Sequence, residues 1–156
     1  MDNRKKQLSQ FFAAYEKRFN DGLSGKVDIQ GTIDAFSECF VEASPAGIIC
    51  GNNGNDFRKA IPQGYEFYKS IGTQSMTIAD LGITLIDDLH AVTKVHWLST
   101  YLRKQDSNPV SIEFDVHYFT QQQQNGGLRI FAYITGDEQK ALREHGLIPE
   151  EAAAQS

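Results

Sequence analysis

In the second half of the chain, hydrophobic and polar positions alternate with period two through three consecutive runs, AVTKVHWLSTYL, VSIEFDVHYFT and LRIFAYIT, with short polar turns between them. Alternation of this kind marks half-buried strands, and the short connections predict an antiparallel meander. One face carries Val95, Trp97, Tyr101, Phe114, Val116 and Tyr118, and the other carries Lys94, His96, Glu113, Asp115 and His117. An earlier run, SMTIADLGITLIDD, predicts a fourth strand, bulged at Gly82, with Asp80 facing inward beside Ile78 and Thr84.

The spacing changes to three and four in the first half. Leu8, Phe11, Phe12, Tyr15 and Phe19 form one apolar stripe, which predicts a helix over 4–20 that stops at Asp21-Gly22. A shorter helix is predicted over 32–39, capped by Thr32 and using Ile33, Phe36 and Phe40. FVEASPAGIICG predicts a hairpin turning at Ser-Pro-Ala-Gly. A third helix runs to residue 71 from a cap at Asn55 or Asp56, and Pro62 is expected to kink or split it. The last helical turns, in DEQKALREHG, stop at Gly146 ahead of Pro149, leaving 149–156 as a loose tail.

The 156 residues fit a single domain, 1–156, with its core over about 8–148. Fifteen basic against twenty acidic side chains give a formal charge of −5, which argues against a general nucleic-acid partner. The short Arg4-Lys5-Lys6 run reads as an exposed helix start. Neither a membrane-spanning run nor the h-region of a signal peptide is present, so a cytoplasmic protein with no membrane partner is expected. Cys39 and Cys50 lack CxxC spacing and read as buried free thiols. Gly51-Asn52-Asn53-Gly54 lacks the lysine and the context of a phosphate-binding loop, and no cofactor is expected.

The order of helix, hairpin, helix and four strands resembles the nuclear-transport-factor-2-like superfamily over residues 8–148. The residues that carry the resemblance are the aromatic first helix, Gly64-Tyr65-Glu66-Phe67-Tyr68, Ala91-Val92-Thr93-Lys94-Val95-His96-Trp97, and Gly127-Leu128-Arg129-Ile130. The resemblance implies an α+β fold in which a curved antiparallel sheet wraps a long N-terminal helix to form a cone. The superfamily includes ketosteroid isomerase, scytalone dehydratase, limonene epoxide hydrolase and SnoaL-like polyketide cyclases beside noncatalytic binding modules, so it implies a pocket rather than a reaction. For the proton-donating tyrosine that a resemblance to the isomerase implies, Tyr15 is the candidate, and the isomerase assignment itself is not carried over. The isomerase's acids have no match, because the apolar strand face holds no Asp or Glu between Ala91 and Thr135. Arg103 and Arg129 likewise lack the inward carboxylate partner that the epoxide hydrolase pattern requires.

Two candidate sites follow. If Arg103 to Pro109 closes a simple hairpin, His96 lies near His117, with Lys94 and Asp115 on the same face. Imidazoles and carboxylates in that pattern suit acid–base work or a transition metal, although alternating polar residues also make an ordinary solvated or dimer-facing surface. The latter reading is adopted, with no metal site assigned; Asp80, His96, Asp115 and His117 remain the catalytic candidates. On the other face, Tyr15, Phe19, Thr84, Trp97, Ser99, Tyr101, Phe114 and Tyr118 are the candidate lining of a pocket for a small hydrophobic molecule. The expected function is ligand binding by a homodimer. A cofactor-independent isomerase, cyclase or dehydratase is the alternative, and a protein interaction module the third reading.

Overall fold

The computed structural model describes residues 3–150, so the predicted tail lies outside the described residues apart from Pro149 and Glu150. The order is α1 (Asn3–Leu23), α2 (Ile29–Asp34), β1 (Phe36–Ser44), β2 (Gly47–Asn52), α3 (Asn55–Ser70), β3 (Thr73–Leu85), β4 (His90–Leu102), β5 (Pro109–Gln122), β6 (Leu128–Ile134) and α4 (Glu138–Glu144). The six strands form one curved, unclosed sheet in the order β2-β1-β6-β5-β4-β3. All neighbours are antiparallel except β1 and β6, which run parallel.

Along β4, every second residue from Ala91 to Tyr101 is buried, as the alternation predicts. Val95, Trp97, Val116 and Tyr118 pack with Leu8 and Phe12 of α1 into the main core. Helix α1 lies along β3, one of the two edge strands of the sheet. The Asn20 side-chain amide donates to the Met76 carbonyl at 2.7 Å and accepts from the Met76 N–H at 2.9 Å, while the Ile78 N–H donates to the Glu16 carboxylate. These bonds satisfy edge groups that would otherwise pair with another chain.

Several boundaries differ from expectation. The second helix is shorter and earlier, because Asp28 rather than Thr32 caps it by accepting the Gly31 N–H at 2.9 Å. Phe36 and Phe40 belong to β1, whose register against β6 shifts between Phe36 and Val41. Helix α3 continues through Pro62 as one element. The β1–β2 hairpin turns at Pro45-Ala46, with Gly47 at φ +125°, as its turn chemistry predicts. Cys39 and Cys50 are exposed free thiols, not buried ones, since both fall on the outward side of that hairpin.

The register of β3 shifts near its start, between Thr73 and Ser75, and again between Ile78 and Asp80, but not at Gly82. The extra residue at the second shift inverts the phase, so Ile78, Leu81, Ile83 and Leu85 reach the core while Asp80 and Thr84 are exposed. Asp80 and Thr84 therefore face away from the core, not inward as the sequence predicts. Among the described residues no helix is long and apolar enough to cross a membrane.

Candidate functional site

The polar cluster of the meander lies on the outer face. His96 stands opposite Asp115 and His117 opposite Lys94, so the two histidines are diagonal neighbours on that face. His96 Nδ1 is 2.7 Å from Asp115 Oδ1 and its Nε2 is 2.9 Å from Glu113 Oε1, with Lys94 Nζ at 3.7 Å from the other Asp115 oxygen. Hydrogen bonds to Glu113 and Asp115 hold the His96 pKa above its usual value, and the His96 bond keeps Asp115 below the carboxylate range. This is a solvated ion-pair network, separated from the cone's interior by the thickness of the sheet. Among the described residues no group of three His, Cys, Asp or Glu is placed to hold a metal ion.

The interior contains unfilled space. A lobe of about 380 Å³ is bounded by Tyr15 and Phe19 of α1, by Trp97, Phe114, Val116 and Tyr118 of the meander, and by Glu42, Tyr133 and the segment Thr135–Gln139. A second lobe of about 230 Å³ adjoins it through the shared walls Tyr15, Phe19, Tyr68 and Tyr133, and extends between α1, α2 and α3 to Arg18. A small recess of about 70 Å³ lies beyond Phe114, against Tyr101. The sequence-predicted residues Tyr15, Phe19, Trp97, Phe114 and Tyr118 thus meet around one cavity. Tyr101 is set apart in the recess, and Ser99 is buried in the sheet, accepting from the Tyr101 hydroxyl at 2.9 Å and donating to the Ile112 carbonyl at 3.2 Å.

Phenol groups provide most of the cavity's polarity. The Trp97 indole N–H donates to the Tyr118 hydroxyl at 3.1 Å, and that hydroxyl interacts with the one on Tyr15. Desolvation raises the pKa of Tyr15, Tyr68, Tyr118 and Tyr133, so all four remain neutral hydrogen-bonding groups at physiological pH. Tyr65, at the far end of the smaller lobe, is pushed up to about 12 for the same reason.

Three acidic residues border the larger lobe, none of them in the meander, and of these Asp137 caps α4 by accepting the Lys140 N–H. Glu42 pairs in register with Tyr133 across the parallel β1–β6 ladder and interacts with its hydroxyl. Glu138, at the start of α4, accepts from the Tyr68 hydroxyl at 2.9 Å. Glu138 is an exposed residue at the mouth, yet crowding by protein around its carboxyl raises its pKa, and the Glu42 charge raises it further against the opposing effect of the Tyr68 bond. An acid displaced toward neutrality beside phenol donors is suited to moving a proton.

A curved sheet wrapped on a long N-terminal helix, enclosing an aromatic cavity, defines the nuclear-transport-factor-2-like class. Residues 5–138 match the family described as NTF2-like protein (DUF6841), and the chain belongs to that family. Solved structures agree on the fold. Aln2 from a Streptomyces species is similar at 16% identity and a TM-score of 0.65, covering 92% of this chain and 97% of its own. An NTF2-like protein with a cystatin-like fold from Novosphingobium aromaticivorans is similar at 12% identity and a TM-score of 0.64, covering 92% and 88%. A ketosteroid isomerase-like protein from Erwinia carotovora atroseptica is similar at 13% identity and a TM-score of 0.62, covering 87% and 97%. No curated protein matches the chain.

Proposed function

We propose that this chain binds a small, largely apolar molecule in the cavity between the sheet and α1, with tyrosine hydroxyls orienting the ligand. The observation that carries the proposal is the unfilled aromatic space, in lobes of about 380 and 230 Å³. Protein interiors are close-packed, with few voids larger than a water molecule, so space on this scale with convergent polar groups is what a ligand site requires. The test is a thermal-shift screen of hydrophobic ketones, sterols and aromatic acids, followed by fluorescence titration of Trp97, the chain's one tryptophan. A ligand at a hundred times its Kd adds about 2.7 kcal/mol to the folded state, which for a chain of this size raises Tm by roughly 5–10 °C. A flat screen with an unchanged Trp97 spectrum would remove the proposal.

Glu138 favours a second reading, cofactor-independent proton transfer of the isomerase, cyclase or dehydratase kind. Its raised pKa and its Tyr68 contact support a role as the acid or base, with Tyr15 or Tyr118 as donor to an oxygen of the substrate. For any substrate that is turned over, Glu138→Gln is expected to lower kcat by about 100-fold or more. Undiminished kcat would exclude Glu138.

The outer face supports a homodimer. Cross-strand partners Val92, Phe119, Ala132, Val41 and Cys50 form a continuous apolar row from β4 to β2, flanked by exposed Ile134 and Ile48. Ile134→Glu is expected to convert the dimer to monomer in light scattering while leaving the far-UV circular dichroism spectrum of the folded chain unchanged, since Ile134 is 47% exposed in the single chain. An unchanged dimer mass would move the interface elsewhere. Exposed free thiols at Cys39 and Cys50 support a reducing, cytoplasmic setting.

A further inference from the structure

We infer that the smaller lobe is a carboxylate site: it takes the acid group of a small aromatic or alicyclic carboxylic acid, anchored by Arg18. The inference rests on the ligand-pocket reading and assigns it a substrate class.

The lobe's lining contains a single ionised side chain, and that side chain is a cation. Phe19, Phe36, Phe57, Ile61 and Tyr65 make the remaining wall largely apolar, and no Asp or Glu faces the lobe. This is unexpected in a chain whose formal charge is −5. The Arg18 side chain is 20% exposed, so most of its hydration has been removed. A guanidinium in that setting needs acceptors for its five N–H groups.

Its described neighbours supply few. Arg18 forms an ion pair with Asp28, but at 3.8 Å from Nε to Oδ2 it is longer than a hydrogen bond, and the other Asp28 oxygen already accepts the Gly31 N–H that caps α2. Among the described residues, no acceptor is hydrogen-bonded to the Arg18 guanidinium. Of the hydroxyls near that end, Thr32 donates to the Asp28 carbonyl and Tyr65 to the Arg18 carbonyl at 3.5 Å. The Arg18 charge acts on the Tyr15 and Tyr65 phenols, lowering both against their desolvation, which places it at the cavity wall. Gly31 lets Arg18 and Asp28 pack closely against the start of α2, because a Cβ there would lie 2.7 Å from Arg18 Nε and 2.3 Å from Asp28 Oδ2.

A ligand carboxylate would supply the missing acceptors, two oxygens matching the planar fork of the terminal nitrogens. The volume also fits: a cavity of about 150 Å³ holds benzene, and about 230 Å³ holds such a ring with a carboxyl group attached. The ligand's apolar body would then point past Tyr15 and Tyr68 toward the larger lobe, where Tyr118 and Glu138 await any further polar group.

The experiment is calorimetric titration of benzoate, phenylacetate and 3-phenylpropanoate against their primary amides, which keep the shape and lose the charge. With the unmodified chain, at least one acid is expected to bind about 10-fold or more tightly than its amide. Arg18→Gln should lower acid affinity to the amide level, a loss of about 10- to 100-fold, with amide affinity unchanged. Asp28→Asn retains an acceptor for the α2 cap and should leave acid binding equal or tighter. If Arg18 served only to hold Asp28, the two variants would behave alike. Equal binding of acids and amides, or an acid preference that survives Arg18→Gln, overturns the anchor and leaves the pocket standing. Absence of binding by acids, amides and the wider screen of ketones and sterols overturns both.

Discussion

Replacing Gly72 by alanine is expected to destabilise the fold by roughly 2–5 kcal/mol, the sum of a left-handed backbone penalty and overpacking. Gly72 joins α3 to β3 at φ +87°, just past the Ile71 cap, where glycine is the residue that ends a helix at least cost. Space is the larger obstacle. A Cβ at this position would lie 1.9 Å from the Leu102 carbonyl oxygen, a backbone atom at the end of β4. Leu102 is tied there by its own N–H, which donates to the Gly72 carbonyl at 2.8 Å. Neither partner can yield without breaking the joint that places α3, and with it Tyr65 and Tyr68, over the cavity. Gly25→Ala is the control: its φ of +101° carries a similar backbone penalty, but nothing lies within 4 Å of the added atom. Thermal denaturation should therefore show a fall of about 2–4 °C per kcal/mol lost, clearly larger for Gly72→Ala than for Gly25→Ala. Equal shifts would mean that the Leu102 contact relaxes freely.

The features legible in the sequence were those that repeat locally. The α1 stripe and the β4–β5 alternation each contain several turns or pleats of the same signal, so one exception cannot obscure them, and Leu8, Phe12, Trp97 and Tyr118 meet where that periodicity directs them. A single inserted residue was enough to defeat the pattern in β3. With the bulge at Gly82, Asp80 would share a face with Ile78; with the bulge between Ile78 and Asp80, it points to solvent. Phe36 and Phe40 misled for a different reason. A spacing of four fits one face of a helix and also one face of a strand, and the shorter helix ended before them. Glu42 and Glu138 had no local signal at all. They approach each other because β1 pairs in parallel with β6 and α4 starts soon after β6 ends, a long-range pairing that no window of sequence displays. The pocket's aromatic wall could thus be anticipated, while its carboxylates and Arg18 could not.

Trp97→Ala is expected to cost about 3–5 kcal/mol, in the range of large aromatic truncations in cores, and to lower Tm by roughly 6–20 °C. Trp97 is fully buried at the centre of β4, flanked in register by Ile78 and Phe114, and its ring is 6.2 Å from that of Tyr15. Its loss would merge new empty volume with the larger lobe, so little collapse is available to offset the missing contacts. Trp97→Phe separates packing from hydrogen bonding. It retains most of the apolar surface but removes the N–H that donates to Tyr118, and should cost only about 1 kcal/mol. The functional consequence is more specific. Without the indole donor, the Tyr118 hydroxyl keeps its interaction with Tyr15 but loses the group that fixes its orientation, so a ligand that hydrogen-bonds to Tyr118 should weaken in Trp97→Phe while an acid anchored only at Arg18 should not. Calorimetry is needed for this comparison, since the variant has no tryptophan to report. Parallel losses for both ligand types would mean that Trp97 shapes the whole cavity rather than positioning one phenol.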